Sequence, residues 1–285
     1  MCKSRRFSAR RCLVSPEQKS IIEALGVHEH FDAEHEVIRR CSFLEDYCIA
    51  ASGRSFVLGI SGGVDSLTAG LLAQKSVARL RSGGHQAEFI AVRLPYGDQA
   101  DESDAQACLS TIQPDRVITI DVKPASDAIM SEISRNAPGI VDGDRYQFHL
   151  GNIKARQRMI AQYALAGATR GLVIGTDHAA EALMGFYTKF GDGAADVLPL
   201  AGLNKRRVRA LAKFLGAPES LVLKVPTADL ESDAPLKPDE DAYGVTYDEI
   251  DDFLEGREIS VTSRDRILAM YYASGHKRTL PATPI

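Results

Sequence analysis

The hexapeptide SGGVDS, between an apolar run and a helical pattern, has the clearest chemical signature in this chain. Gly62 and Gly63 allow the backbone to approach a ligand closely and to turn its N–H groups toward an anion. Ser61 and Ser66 add hydroxyl donors. The helix that follows, predicted to begin at Asp65 or Ser66, directs its positive end to the same point. We therefore interpret this segment as a phosphate-binding turn built largely from backbone.

The carboxylate of Asp65 distinguishes this turn from the common nucleoside-triphosphate loop, in which Gly-Lys-Ser/Thr follows the glycines. A carboxylate beside a polyphosphate is repelled unless a hard cation lies between them. Because Mg²⁺ prefers carboxylate, water and phosphate oxygens as ligands, we predict a magnesium ion at Asp65. The alternative is a solvent-exposed strand-to-helix turn, since Gly and Ser suit turns in general.

A second polar segment, GTDHAAE, begins at Gly175, where the fourth predicted strand ends. The carboxyl ends of parallel strands share one edge of a sheet, so this segment and the glycine turn can face one site. Glu181 is a candidate for a second carboxylate on the cation. The alternative is a glutamate in the first turn of a helix, stabilised by the helix dipole. We assign no role to His178, because a lone histidine is more often structural.

Residues 185–193, with the sequence GFYTKFGDG, combine glycine, aromatic side chains and charge. The aromatic rings can stack on a planar ligand while Lys189 meets a carboxylate or phosphate, although Phe and Tyr here are equally compatible with core packing. Lys205 lies at a predicted helix start, which is unfavourable for the helix dipole and suggests that it serves an anion. Arg156, taken alone, is typical of a solvated helix face.

The elements that must position these residues alternate between strand and helix. Each predicted strand is a short apolar run, of the kind that is buried on both faces of a sheet. This alternation predicts an α/β fold, a single-domain doubly wound parallel sheet flanked by helices, with ligands at the carboxyl ends of the strands. The predicted strands are 56–60, 88–94, 117–122 and 172–175, and the predicted helices are 16–25, 33–52, 66–81, 102–112, 125–135, 152–166, 205–215, 247–254 and 263–273.

Composition excludes several classes of protein. The chain has 285 residues, of which 45% are hydrophobic and 25% charged, and its net charge of −4 argues against nucleic acid as a partner. No stretch approaches the roughly 20 apolar residues of a membrane span. Cys41 and Cys48 fall on one apolar helical stripe, which favours packing over metal binding and fits a reducing cytoplasm. Residues 1–15 are basic and are predicted to be a disordered tail preceding one domain, 16–285.

Together these segments resemble the ammonia-dependent NAD synthetases, over residues 21–278. The turn SGGVDS is shared with other ATP pyrophosphatases, in which it grips the β and γ phosphates and leaves the α phosphorus open to attack. It therefore indicates only adenylyl transfer. The segments IAVRLPYG, GTDHAAEA and PTADLE are more specific. The resemblance implies a fold like that of the adenine nucleotide alpha hydrolases.

The resemblance also implies binding sites for ATP, for Mg²⁺ and for deamido-NAD. Asp65 and Glu181 would bind Mg²⁺, and Asp192 is a candidate to bind or deprotonate ammonium. The residues implied for ATP are Gly59, Ile60, Ser61, Gly62, Gly63, Val64, Asp65, Ser66, Thr176, Lys205 and Thr227. Those implied for deamido-NAD are Arg156, Lys189, Asp196, His276 and Lys277.

The implied activity is the last step of NAD biosynthesis, in which ATP adenylates the nicotinate carboxylate and ammonia then displaces AMP. Free ammonia is the expected nitrogen donor, because the chain has no room for a glutamine amidase unit. A homodimer is implied, with helix 33–52 as a candidate for part of the contact. Two alternatives remain open: a tRNA-modifying or nucleotide-aminating enzyme with the same turn, and a nucleotide-binding regulator without catalysis.

Overall fold

The computed structural model of this chain describes residues 14–98, 101–141, 143–228 and 237–284. Of the predicted basic tail, residues 1–13 lie outside the described residues. Ser15 accepts a hydrogen bond from the backbone N–H of Gln18 and caps the first helix, and Pro16 occupies its first turn. The first described helix therefore begins at Pro16, where the helical pattern of the sequence also begins.

The main sheet has four strands, β1 (Ser55–Gly59), β2 (Glu88–Arg93), β3 (Arg116–Thr119) and β4 (Gly171–Val173). All neighbouring strands are parallel, and their spatial order is β3-β2-β1-β4. The chain adds β2 and β3 on one side of β1 and then returns to add β4 on the other side. The switch point of the sheet thus lies at the carboxyl end of β1, where the glycine turn begins.

Helices connect and cover these strands, and most of them match the predicted ranges within a few residues. Four starts differ from the predicted ranges: the helix after β1, the helix after β3 and the last described α-helix each begin two residues earlier, at Val64, Lys123 and Val261, and the helix before β4 begins at Tyr146 rather than near residue 152. The helices are α1 (Pro16–Ala24), α2 (Ala33–Ala50), α3 (Val64–Ser82), α4 (Glu102–Ile112), α5 (Lys123–Asn136), α6 (Tyr146–Thr169), α7 (Ala179–Met184), α8 (Lys205–Phe214), α9 (Glu219–Val222), α10 (Asp239–Tyr243), α11 (Tyr247–Leu254) and α12 (Val261–Ala273).

Successive residues of β1 point to opposite faces of the sheet, and each face is covered by its own layer. Phe56 and Leu58 pack with residues of α2, α3 and α8, whereas Val57 packs with Ile90, Ala166 and other residues on the opposite face. Helices on both faces confirm the predicted doubly wound α/β sheet. Cys41 and Cys48 are buried free thiols in the first of these layers, as the apolar stripe indicated.

The prediction that every strand is buried on both faces is wrong for β3. Arg116 and Thr119 are exposed, and Val117 keeps 49% of its surface in solvent. Among the described residues the strand pairs with β2 alone, which places it at the outer edge of the sheet. Apolar residues in a short run therefore identified a strand here but not its degree of burial.

A third apolar cluster lies away from the sheet and joins α1, α7, α11 and α12. Its buried members include Leu183, Tyr243, Phe253 and Ile267. Beside it, two short antiparallel strands, β5 (Thr227–Ala228) and β6 (Lys237–Pro238), form a small second sheet. Among the described helices, none is long and apolar enough to cross a bilayer. This cluster supports α7 and α11, which carry Glu181 and Asp251.

Candidate active site

The glycine turn folds as a strand-to-helix connection closed by its own hydroxyl groups. The Ser66 hydroxyl accepts from the Ser61 N–H at 3.3 Å and donates to the Gly63 carbonyl at 3.1 Å. Gly62 has φ of +88°, and a Cβ there would lie 2.9 Å from the backbone nitrogen of Ala105 on α4. Glycine is therefore required at 62 both for its backbone conformation and for the close approach of α4.

Helix α3 presents its N-terminus to this turn. Its first residue is Val64, and among the described residues no side chain caps it at Gly63. The first-turn N–H groups of a helix need partners, and an anion can supply them. The turn and the helix end thus lie together in a geometry suited to an anion, and the binding of phosphate there stays a prediction.

Four polar side chains converge beside this helix end. Lys205, on the first turn of α8, donates to Asp65 Oδ2 at 2.6 Å. His178 Nε2 lies 3.4 Å from Asp65 Oδ1 and 3.5 Å from Glu181 Oε1. One possible ligand atom from each of Asp65, His178 and Glu181 lies within 4.8 Å of the others. The structure therefore brings Asp65 and Glu181 together, as the strand-end argument predicted, and adds His178, to which the sequence assigned no role.

Burial and neighbouring charge set the pKa values of these groups. Burial raises the pKa of Asp65, but Lys205 and His178 outweigh it, so the pKa of this carboxyl lies well below its ordinary value. Burial raises the pKa of Glu181 to about 8, in part with the help of the Asp65 carboxylate. Burial lowers the pKa of Lys205, but Asp65 and Glu181 raise it more. Asp65 is therefore a carboxylate and Lys205 an ammonium, whereas Glu181 gains a proton readily.

Asp251 on α11 explains how a lysine is tolerated at the start of α8. Its buried carboxylate accepts from the backbone N–H groups of Lys205 at 3.0 Å and Arg206 at 2.7 Å. Asn204 completes the cap by accepting from the Arg207 N–H at 2.9 Å. The carboxylate offsets the positive helix end, so Lys205 can direct its ammonium into the site. Burial raises the pKa of Asp251 to about 6.

A second group of predicted residues lies around the segment after α7. Lys277 donates to two backbone carbonyl groups just beyond α7, each at 2.8 Å. Lys189 donates to the carbonyl of His276, and Arg156 on α6 donates to the carbonyl of Lys189 at 3.3 Å. Phe190, next to Lys189, is exposed. Four of the five residues implied for deamido-NAD are therefore neighbours, and their cations rest on backbone oxygens.

Asp192 is exposed and is positioned by the turn that contains it. Its Oδ1 accepts from the Thr188 N–H at 2.9 Å, and the Thr188 hydroxyl lies 2.8 Å from Asn152 Oδ1 on α6. Asp177 is its acidic neighbour, and sequence reasoning missed it although it stands within GTDHAAE. Burial raises the pKa of Asp177 to about 8, and repulsion from Asp192 and Asp65 adds to the shift. Asp177 therefore lies close enough to both Asp192 and Asp65 for the three carboxyl groups to influence one another.

The remaining predicted residues occupy supporting positions. Gly59 donates its N–H to Gln162 Oε1 at 2.8 Å, and Asp196 accepts from the Val173 N–H at 2.7 Å. Thr176 follows closely after β4. The backbone of Thr227 pairs with Pro238, whereas its side chain lies outside the described part of the chain.

Two further cations donate to backbone carbonyls in the glycine turn or directly before it, at Gly62 and Ile60, and neither was singled out from the sequence. Arg93, 2% exposed, donates to the Ile60 carbonyl and to Glu102 on α4 at 2.6 Å. Lys224 contacts Asp104 on α4 at 2.6 Å. The signal for Arg93 was a charged residue within the apolar run FIAVRL. For Lys224 the sequence offered only proximity to PTADL.

Comparisons with known proteins agree on one family. The sequence model of NAD synthase matches residues 36–281. The NH(3)-dependent NAD(+) synthetase of Burkholderia ambifaria is 59% identical over 266 residues, covering 93% of this chain and 94% of that protein.

Two solved structures are also similar to this chain. One is NAD+ synthetase from Burkholderia pseudomallei, with 55% identity, a TM-score of 0.81 and coverage of 93% of this chain and 97% of that one. The other is NMN synthetase from Francisella tularensis, with 36% identity, a TM-score of 0.78 and coverage of 90% and 99%.

Proposed function

This chain belongs to the NAD synthase family, and we propose that it catalyses the ATP-dependent amidation of deamido-NAD by ammonia, giving NAD, AMP and pyrophosphate. The observation that carries the proposal is the position of Asp65, Glu181 and Lys205 beside the glycine turn. That arrangement suits the terminal phosphates of a nucleotide together with a divalent cation. Membership of the family is the ground for proposing deamido-NAD as the substrate that reacts with this nucleotide.

The residues around Asp65 fit a magnesium ion. Asp65 Oδ1 is buried and accepts no hydrogen bond from the described residues, so a lone pair is free for a ligand bond. Asp65 and Glu181 would hold the ion with carboxylate oxygens, the ligand type that Mg²⁺ prefers. When bound, the ion neutralises charge on the phosphates of ATP. His178 packs against both carboxylates and limits their movement.

In the first step the carboxylate of deamido-NAD attacks the α phosphorus of ATP. A bond forms between the carboxylate oxygen and phosphorus, and the bond from phosphorus to pyrophosphate breaks. The N–H groups at the start of α3 and the Lys205 ammonium stabilise the charge that develops on pyrophosphate. The product is an adenylated carboxylate, which is a far better acyl electrophile than the free acid.

In the second step ammonia attacks the activated carbonyl carbon and AMP leaves. Ammonium must first lose a proton, and Asp192 is the residue that we propose binds or deprotonates it. Burial and repulsion from Asp192 raise the pKa of the nearby Asp177 carboxyl to about 8, so at pH 7 Asp177 is mostly protonated and Asp192 carries the charge that attracts the cation. Arg156, Lys189, Asp196, His276 and Lys277 would hold the dinucleotide so that its carboxylate reaches the α phosphorus.

A smaller substrate is the second candidate. The Francisella tularensis neighbour is an NMN synthetase, so the same fold also serves formation of the mononucleotide amide. We favour the dinucleotide because the curated relative at 59% identity is an NAD(+) synthetase and covers 93% of this chain.

We also propose that the enzyme is a cytoplasmic homodimer. Helix α2 carries exposed apolar side chains at Ile38, Phe43, Tyr47 and Ile49, and the rings of Phe43 and Tyr47 are 6.2 Å apart. Phe43 and Tyr47 are one helical turn apart and share one side of α2, and an exposed aromatic pair of this kind is typical of an interface. Free buried cysteines fit a reducing compartment. Sedimentation velocity at micromolar concentration should show a dimer, and a persistent monomer would contradict this proposal.

The reaction is tested with the purified chain, ATP, Mg²⁺, ammonium chloride and deamido-NAD. We expect NAD, AMP and pyrophosphate in equal amounts, and no NAD when any component is omitted. Nicotinate mononucleotide in place of deamido-NAD should react more slowly, and faster turnover would favour the NMN synthetase assignment. Glutamine in place of ammonium should give almost no product. Binding of ATP without release of pyrophosphate would support a regulator without catalysis.

A further inference from the structure

Lys224 lies against the glycine turn but has no assigned role in the proposed adenylation or amidation step. It follows α9, and its Nζ lies 2.6 Å from Asp104 Oδ2 and 3.4 Å from the carbonyl oxygen of Gly62. Its side chain is only 20% exposed, whereas that of Asp104 is 40% exposed. The ammonium is therefore held at the edge of the phosphate turn by one partly solvated carboxylate.

The two lysines at this turn differ in how tightly they are held. Lys205 is 1% exposed, and its ammonium contacts Asp65 and lies 3.3 Å from His178 Nε2. Lys224 has a single carboxylate partner in the described structure, and that partner does not belong to the turn or to the candidate metal site. A lysine on a flexible four-carbon stem can exchange such a partner for a phosphate oxygen within reach.

The charge of the site favours that exchange. ATP brings several negative charges to a turn already beside Asp65 and Glu181. One divalent cation together with Lys205 does not neutralise all of them. A further cation next to Gly62 would lower the remaining repulsion, and a hydrogen bond between ammonium and phosphate is stronger than one to a backbone carbonyl.

We propose that Lys224 is an ATP-binding residue whose ammonium leaves Asp104 for a terminal phosphate oxygen when the nucleotide binds. Asp104 holds the ammonium beside the turn until then. The inference rests on the proposed function, since it requires ATP at the glycine turn. Lys224, in the segment after α9, would thus be a second cation that contacts the phosphates of ATP, beside Lys205 on α8.

The test measures binding of α,β-methylene-ATP with Mg²⁺ by calorimetry, in the absence of turnover. Lys224→Met should raise the dissociation constant about tenfold, the size expected for loss of one charge-assisted contact. Asp104→Asn frees the ammonium and should leave the constant unchanged or lower it. Lys224→Arg should retain most of the affinity. Lys213→Met, an exposed lysine in the last turn of α8, is the matched control.

The inference is tested by comparing how Lys224→Met and Asp104→Asn change the affinity for the nucleotide. If Asp104→Asn weakens binding as much as Lys224→Met, the pair is only a tie between α4 and the turn, and the inference is overturned. Unchanged binding in a folded Lys224→Met variant overturns it as well. Failure of the wild-type chain to release pyrophosphate in the full assay would instead count against the proposed function, while the binding comparison would still be readable.

Discussion

The proposed phosphate side and the proposed dinucleotide side of the candidate site are built differently. On the phosphate side, charged side chains bond to one another: Lys205 to Asp65 at 2.6 Å, with His178 within 3.5 Å of both carboxylates. On the dinucleotide side, the cations of Lys277 and Lys189 donate to backbone carbonyl groups. The first set is largely buried and the second is more open to solvent.

This difference indicates how each side responds to its ligand. Buried charges that neutralise one another are held in place before ATP arrives, so little reorganisation accompanies binding. A cation on a backbone carbonyl can give up that neutral acceptor for the stronger charged acceptor of a phosphate or carboxylate. We therefore expect changes on the phosphate side to affect chemistry, and changes on the dinucleotide side to affect substrate affinity.

The largest expected effect comes from Asp65→Asn. This change removes a predicted metal ligand and the partner of the buried Lys205 ammonium. Pyrophosphate release should fall by about 1,000-fold or more, because both the cation site and the phosphate cation are disturbed. Stopped-flow measurement of pyrophosphate checks this. Asp265→Asn, on the exposed side of α12, is the control and should be active. Near-normal release from Asp65→Asn would remove this carboxylate from the chemistry.

Asp192→Asn tests whether a residue beside the dinucleotide side affects amidation without affecting adenylation. We expect amidation to fall about 100-fold, the usual contribution of one general base. Adenylate formation should be spared, because Asp192 contacts Thr188 and not the glycine turn. Rapid quenching separates the two steps by comparing pyrophosphate formed without ammonium and NAD formed with it. Equal loss in both steps would place Asp192 in substrate binding rather than in proton transfer.

Lys277→Met tests the dinucleotide side alone. The change leaves two backbone carbonyls of the segment after α7 without their ammonium donor and removes a cation implied for deamido-NAD. The KM for deamido-NAD should rise about tenfold, with kcat and the KM for ATP little changed. Steady-state kinetics with each substrate varied in turn provide the measurement. A fall in kcat at unchanged KM would contradict the proposal that this side affects substrate affinity and not chemistry.

The pH dependence of magnesium binding is expected to be similar in size to the effect of Lys277→Met. Burial raises the pKa of Glu181 to about 8, so at pH 7 this carboxyl is mostly protonated and must lose its proton to bind a cation. Mg²⁺ affinity should therefore increase as pH rises, by about tenfold between pH 7 and pH 9. Titration calorimetry measures it, with Glu181→Gln as the variant that should bind Mg²⁺ weakly and without this dependence. Affinity independent of pH in the wild type would exclude Glu181 as a ligand.

Much of the fold was readable from local pattern. Apolar runs located all four strands of the main sheet, and the range of α11 was predicted without error. The start of α6 was missed by six residues, because residues 146–151 show neither a capping signal nor an apolar period strong enough to extend the helix. The exposure of β3 was missed because an edge strand and a central strand can share the same composition.

The site was predictable where it follows from the topology of a parallel sheet. Asp65 and Glu181 come together because β1 and β4 are neighbours whose carboxyl ends share an edge. His178, Asp177 and Lys224 were not predictable as site residues. Asp177 and His178 stand within GTDHAAEA, but the motif does not say which of its side chains face Asp65 or Asp192. The contact of Lys224 with Gly62 and Asp104 joins residues remote in the chain.

The sequence by itself determined the glycine turn, the order of strands and helices, and the resemblance that indicates the reaction. These depend on backbone freedom, short-range periodicity and motifs, all of which are local in the chain. Only the tertiary structure decided that Lys205 pairs with Asp65, that Asp251 makes a lysine tolerable at a helix start, and that Arg93 and Lys224 donate to the carbonyls of Ile60 and Gly62. Those outcomes depend on charges, from distant parts of the chain, that fall within a few ångströms of one another once the sheet is packed.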